Sequence, residues 1–366
     1  MISTTPKRNQ SIDFLRTIAV SLTLFRHFKI SNFLHKIGWI GVDLFFVLSG
    51  LLVSGLLFNE YKKTRKINFV RFFVRRGLKI YPLFYLLFIA VVIHTQLHPE
   101  FKISIRHFVA EAFFLKNYFG TSDYALIHTW SIDVEEHFYF ILPILLIILI
   151  FFNKESSNPF KAIPFIFMII TLICLALRIY VNHIEPQFDH LTHVAPTHLR
   201  IDSLFFGTML AYFYNFHFEN LNKWVNKYRR FILLNSILLL SPAIILWDNN
   251  LFMRTFGFIT LYLAFGGIIL LSLFSKNNLT ITTFVFNFIA NLGFYSYATY
   301  IIHFPIYLWY IHPHLDYLDS HLSLKLIVFI SYFMVSFIGG WLLSFTIEIP
   351  FLALRDKLFP SNSKAL

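Results

Sequence analysis

Arg16 and His27 lie eleven positions apart in the first apolar stretch of the chain, Ser11 to Phe28. Eleven residues make about three helical turns plus ~20°, so both side chains leave the same face of a helix. Ionisable groups at membrane depth point to function by default. An imidazole, with an unperturbed pKa near ~6.5, can take a proton at neutral pH. A neighbouring carboxylate can fix its tautomer and stabilise its charged form. His27 beside an acid therefore suits activation of a hydroxyl. The plainer reading of the pair is helix packing or snorkelling.

Other polar residues separate by depth. An outer cluster centres on His27. It takes in Asp43 from GWIGVDLFFVLSG, then His128, Ser131, Asp133, Glu135, Glu136 and His137 from HTWSIDVEEHFYFILP, and Arg200 with Asp202 from LRIDSLFFG. An inner cluster holds Arg75, Arg76 and Lys79 from RRGLKIYP, with Glu348 from EIP and Arg16 on the same side. Cations at one end suit a phosphorylated donor. Together the clusters imply a long donor with phosphates at one end and a reactive group at the other, the shape of an acyl thioester of coenzyme A. Simpler accounts exist for single members. Helix dipoles favour Asp133 and Glu135 at a helix start. Arg75 and Arg76 suit topology anchors, and Trp130 suits an interfacial belt. Asp202 can bridge Arg200, and His303 can be a buried packing residue.

The elements that must position these residues are membrane spans. The 366 residues are 57% hydrophobic and 14% charged, with mean hydropathy +0.64, too apolar for a soluble domain of this length. About ten segments can cross ~30 Å of hydrocarbon: near 12–30, 40–58, 78–95, 135–152, 162–181, 200–215, 231–247, 254–273, 293–310 and 325–347. The stretch 283–292 belongs to a longer or broken helix. The net charge is +12, but Lys and Arg fall mostly in alternate loops. That is the positive-inside pattern, not a nucleic-acid footprint. The loop after the second span holds Lys62, Lys63, Arg65, Lys66, Arg71, Arg75 and Arg76, and the tail holds Arg355, Lys357 and Lys364. The long loop 96–134 carries only Lys102, Arg106 and Lys116. Both termini are therefore expected on the cytoplasmic side. The expected fold is an all-α polytopic integral membrane protein, with residues 1–350 as the membrane domain and 351–366 as a cytoplasmic tail. The first apolar segment reads as a retained span rather than a signal peptide. Cys174 is the single cysteine, so no intrachain disulfide can form.

In order along the chain, these segments resemble the membrane-bound acyltransferase-3 family, bacterial O-acyltransferases of surface glycans. The resemblance covers nearly the whole sequence. It starts at Arg16 and His27, preceded by Asp13, and runs through Gly41–Gly50, Arg75–Pro82, His128–Pro143, Arg200–Gly207 and Leu292–Tyr307, which contains His303. It ends at Glu348–Phe351. The resemblance implies transfer of an acyl group, most often acetyl, from cytoplasmic acyl-CoA to a hydroxyl of a carbohydrate acceptor at the inner membrane, with no permanently bound cofactor and no metal. It implies that His27 is catalytic and that Arg16 supports the donor or the active site. Arg75 and Arg76 would hold coenzyme A phosphates. Asp43, Glu136, Arg200 and Asp202 would shape the central site, with Glu348 on the inner side. Two departures stand out. Lys79 occupies the place of a usual third arginine and cannot make a planar bidentate phosphate contact. Ile349 stands where an arginine usually separates Glu and Pro. Some members carry a fused extracytoplasmic esterase-like domain. None follows here, which implies a separate extracytoplasmic protein for any second transfer step.

Rival readings are a proton-coupled transporter of a small polar solute, a lipid-linked glycosyltransferase and a catalytically dead sensor. The first should show inverted repeats, and none is visible. The second should carry an acidic pair in a long first outer loop, whereas 31–39 is short and has no acid.

Overall fold

The computed structural model describes residues 9–98, 103–120, 125–275 and 280–360. Lys102, Lys364 and residues 361–366 of the expected tail lie outside the described residues. Among the described residues there is no strand. The helices are α1 (Gln10–His27), α2 (Asn32–Ile37), α3 (Ile40–Thr64), α4 (Phe69–Leu97), α5 (Ile105–Ala112) and α6 (Lys116–Phe119). They continue with α7 (Trp130–Phe152), α8 (Ile163–Ile184), α9 (His190–His193), α10 (Ile201–Phe216), α11 (Phe218–Lys227) and α12 (Arg229–Ile245). The chain closes with α13 (Phe258–Leu273), α14 (Thr280–Phe294), α15 (Ser296–Ile306), α16 (Leu315–Asp319), α17 (Leu322–Leu343) and α18 (Ile349–Leu358).

Each segment expected to cross the membrane coincides with helix. Six described helices are long and apolar enough to cross by themselves, or seven if α11 and α12, bent by 79°, count as one span. The chain is an all-α multi-pass membrane protein. The expected fourth and ninth spans are longer than hydropathy suggested. α7 starts at Trp130, so its acidic first turns are helical. α14 and α15 form one broken path that ends in a π-helical turn, Tyr307–Ile311.

Local signals explain the ends. Asn9 caps α1 by accepting from the backbone N–H of Ser11 at 3.1 Å. Asn68 does the same for α4, from Arg71 N at 2.9 Å, and so starts the helix that carries the RRGLKIYP run. α3 ends at Arg65, which adopts a left-handed φ of 56°.

Burial differs sharply between helices. In α3 and the short helix before it, 72% of the most apolar window is buried inside the protein, against 17% in α8 and 17% in the stretch containing α17. α3 is thus the central post, and α8 and α17 face lipid. Its closest partner is α10, through an interlock of two glycines. A Cβ on Gly50 would stand 2.0 Å from the Leu204 carbonyl oxygen, and one on Gly207 would stand 2.3 Å from that of Val47. Small residues permit this backbone approach. The contact fixes Asp43 on α3 against the start of α10. α1 is set against α14 by Thr17, whose hydroxyl donates to the Ile289 carbonyl at 2.6 Å. With α1 also packed on α3, the first, second and sixth expected spans surround a common interior.

Candidate active site

Among the described residues, two cavities are lined by the polar candidates. The inner one is lined by Arg16 of α1, Ser49 of α3, Arg76 and Lys79 of α4, Ser131 and Glu135 of α7, and Tyr297 and Tyr300 of α15. Arg76 lies 4.1 Å over the ring of Tyr139. Lys79 sits in the combined field of Arg16, Arg76 and Glu348. Glu135 accepts hydrogen bonds from Ser49 Oγ and from Tyr139 Oη, each at 2.7 Å.

The outer cavity, of about 320 Å³, is lined by His27, Arg26, Trp39, His128, Trp130, His190, Arg200 and Asp248 among others. Its size is that of a small-ligand site. His27 lies in the last turn of α1, where the negative end of the helix dipole favours a cationic ring. The His27 ring is 5.2 Å from that of His303 and 4.6 Å from that of Phe304. His303 is in turn 5.1 Å from His128. His303 Nδ1 donates to the Tyr300 carbonyl at 2.6 Å, and His128 Nε2 donates to the Ile301 carbonyl at 3.1 Å. A carbonyl only accepts, so these bonds assign the proton on each ring. The opposite nitrogens, His303 Nε2 and His128 Nδ1, are buried with no hydrogen-bond partner among the described residues. Among those residues no three or more His, Cys, Asp or Glu groups gather in a metal-binding arrangement.

Tyr300 lines both cavities. Its hydroxyl lies 2.7 Å from Ser131 Oγ and donates to the His128 carbonyl at 2.5 Å. One side chain is thus shared between a cationic chamber and a histidine chamber.

Residues 9–345 match the family described as an acyltransferase domain, acyltransferase-3. The chain belongs to the acyltransferase-3 family. It is similar to the O-acetyltransferase OatA of Staphylococcus aureus (strain NCTC 8325 / PS 47), 32% identical over 219 residues, which cover 57% of this chain and 35% of that protein. It is also similar to the peptidoglycan O-acetyltransferase OatA of Listeria monocytogenes serovar 1/2a (strain ATCC BAA-679 / EGD-e), 34% identical over 163 residues, 41% of this chain and 25% of that protein. The matches span about a third or less of the length of these relatives. No solved structure matches the chain.

Within this acyltransferase-3 chain, Arg16 and His27 share a face of α1 but open into different cavities, Arg16 inner and His27 outer. His128, Trp130 and Arg200 join His27, while Arg76 and Lys79 join Arg16. The run at the start of α7 divides. Expected wholly in the outer cluster, it sends Ser131 and Glu135 to the inner cavity, because helical rotation turns successive residues by ~100°. Glu136 accepts from Tyr81 Oη at 3.0 Å. Asp133 is buried beside Lys116, Asn117 and Glu111, and Lys116 pairs with Glu111 at 2.7 Å. That group fastens the segment before α7. Arg75 turns to the chain's end, pairing with Asp356 at 2.9 Å and donating to the Phe359 carbonyl. Glu348 is buried and accepts from Ser344 Oγ at 2.5 Å. Asp13 is buried in the first turn of α1.

Two expectations are corrected. Among the described residues no carboxylate hydrogen-bonds to His27, whose ring neighbours are His303 and Phe304. Asp43 is turned instead to Arg200, at 2.6 Å. Nor does Asp202 bridge Arg200. It pairs with Arg178 of α8 at 2.5 Å, and all four side chains are at most 1% exposed. Arg178 escaped the sequence reading because its partner is set by α8 packing on α10. Tyr300 was legible in principle, since it stands three residues before His303 and so on the same helix face. His190, Arg26 and Asp248 had no such signal.

Proposed function

We propose that this chain transfers an acyl group, most simply acetyl, from cytoplasmic acyl-CoA to a hydroxyl of a cell-envelope glycan such as peptidoglycan. In this reading it crosses the cytoplasmic membrane about ten times, with both termini inside. The reading rests on one arrangement: a chamber with three cationic side chains and a chamber with His27 meet at a single residue, Tyr300. Family membership favours acyl transfer over solute transport, and the names of the relatives point to acetyl and to a glycan.

The inner cavity, about 100 Å³, admits the slim thioester arm and leaves the nucleotide at its mouth. Arg16, Arg76 and Lys79 hold phosphate oxygens there by charge-assisted hydrogen bonds. Tyr300 then swings away from Ser131, and the thioester carbonyl meets the acceptor. His27 takes the proton of the acceptor hydroxyl as its oxygen attacks the thioester carbon. The C–O bond forms, the C–S bond breaks, and the coenzyme A thiolate takes the proton back from the imidazolium. In the two-step form His27 attacks first and carries the acyl group to the hydroxyl. The α1 C-terminus stabilises the cationic ring in both.

The test is acetyl transfer by the purified chain in lipid nanodiscs, from acetyl-CoA to de-O-acetylated peptidoglycan fragments, read as ester by mass spectrometry. His27→Ala should lower the rate by about 10²–10⁴-fold with acetyl-CoA binding retained. Wild-type rates from that variant would overturn the role of His27.

A further inference from the structure

Among the described residues lining the outer cavity, Asp248 is the sole carboxylate. It comes from the segment between α12 and α13. Its Oδ2 accepts from Nη2 of Arg26 at 2.6 Å, and Arg26 is the neighbour of His27 in the chain. Neither side chain is sealed off, with 26% of Arg26 and 13% of Asp248 exposed. Trp39 lines the same cavity, and its indole N–H is buried without a partner among the described residues. The charges balance in pairs: Arg200 is answered by Asp43 and Arg26 by Asp248.

We propose that Arg26 and Asp248 are the acceptor-binding pair of this site, holding a neutral, hydroxyl-rich ring with its reacting hydroxyl against His27. The proposal rests on the acyl-transfer reading. A carboxylate has about four lone-pair positions and one guanidinium nitrogen occupies one of them. Asp248 therefore accepts from ring hydroxyls while keeping Arg26. The guanidinium has five N–H donors and gives others to ring oxygens. The Trp39 indole supplies a further donor and an apolar face for the ring. Because Arg26 adjoins His27, the pair sets which hydroxyl reaches the imidazole. A ring with its own carboxylate would place a second negative charge beside Asp248, with no unanswered arginine among the described residues of the cavity wall to offset it. Neutral rings are thus preferred to uronates.

A latch that merely closes the outer mouth would use the same ion pair, and Lys36 Nζ donating to the Ile245 carbonyl at 2.5 Å ties α2 to the end of α12, next to the segment that carries Asp248. Charge exchange separates the two roles. Asp248→Asn and the swapped double variant R26D/D248R are compared with wild type in nanodiscs. Binding of de-O-acetylated peptidoglycan fragments is read by tryptophan fluorescence without donor, and transfer is read against fragment concentration at saturating acetyl-CoA. Both variants should need about tenfold more fragment or higher, the effect of losing a hydrogen bond to a charged group, with the acetyl-CoA dependence unmoved. Hyaluronan oligosaccharides, whose alternate rings are uronates, should bind more weakly than chitin oligosaccharides of the same length, whose rings are all uncharged. Restoration of fragment binding by the swap, an unchanged Asp248→Asn, or no fragment binding by wild type would overturn the pair. Equal hyaluronan binding would overturn the preference for neutral rings. Fragment binding that depends on Asp248 without any acetyl transfer would instead sink the acyl-transfer reading and leave the pair standing.

Discussion

The two chambers treat their cations in opposite ways. On the outer side the buried Arg200 and Arg178 are matched by Asp43 at 2.6 Å and by Asp202 at 2.5 Å, and Arg200 also lies 4.0 Å over the ring of Phe258. On the inner side Arg76 rests on the Tyr139 ring and Lys79 feels Arg16 and Arg76 as like charges. Neither Arg76 nor Lys79 forms an ion pair among the described residues. A buried charge matched in the protein is scaffold, since removing its partner leaves a charge with no compensation. Arg76 and Lys79 lie in the field of Glu135, Glu136 and Glu348 without pairing with them, and an incoming polyanion would supply the pairing they lack. The same residue type thus builds structure in one half and invites a ligand in the other.

Breaking the outer pairing should have the largest effect. Arg178→Met leaves Asp202 buried without its partner and should cost about 3–5 kcal/mol of stability, visible as a lowered unfolding midpoint in detergent. The double variant Arg178→Met with Asp202→Leu should recover most of that loss, because replacing both charges by apolar groups is often neutral. If the single change left the midpoint where it was, the scaffold reading of the outer charges would fail. On the inner side Arg76→Ala should lower the midpoint less than Arg178→Met and raise the acetyl-CoA concentration for half-maximal rate by about tenfold or more, the effect of one charge-assisted hydrogen bond. An unaltered donor dependence would return Arg76 to topology. The smallest effect belongs to Arg75→Ala. Its contacts are with Asp356 and Phe359, so the donor dependence should shift less than for Arg76→Ala, while α18 should become easier to cleave by protease. An equal donor shift in both variants would place Arg75 in the chamber after all.

Helical spacing and charge carried much of this site. The eleven-residue interval put Arg16 and His27 on one face, and the ~16 Å rise between them separates the two chambers they enter. The motif glycines Gly50 and Gly207 are legible in the motifs, but their use, the α3–α10 interlock, is a fact of packing. What stayed hidden came from distant chain segments. Arg178 and Asp248 meet partners 24 and 222 positions away, and no local pattern announces such pairs. Asp43 looked like an acid for His27 by depth alone, yet its azimuth on α3 turns it to Arg200. At the start of α7, adjacent glutamates diverge because one residue is a rotation of ~100°: Glu135 faces the inner cavity and Glu136 meets Tyr81.

If the two chambers act in series, the acyl group enters on the Arg76 side and leaves on the His27 side. Sealed vesicles with the chain in one orientation, acetyl-CoA on one face and de-O-acetylated glycan fragments on the other, test it directly. Ester should form when acetyl-CoA is on the face of the Lys62–Arg76 segment and the glycan opposite, and should be lost when the two are exchanged. Equal ester in both arrangements, or ester only with donor and glycan together on one face, would contradict the account.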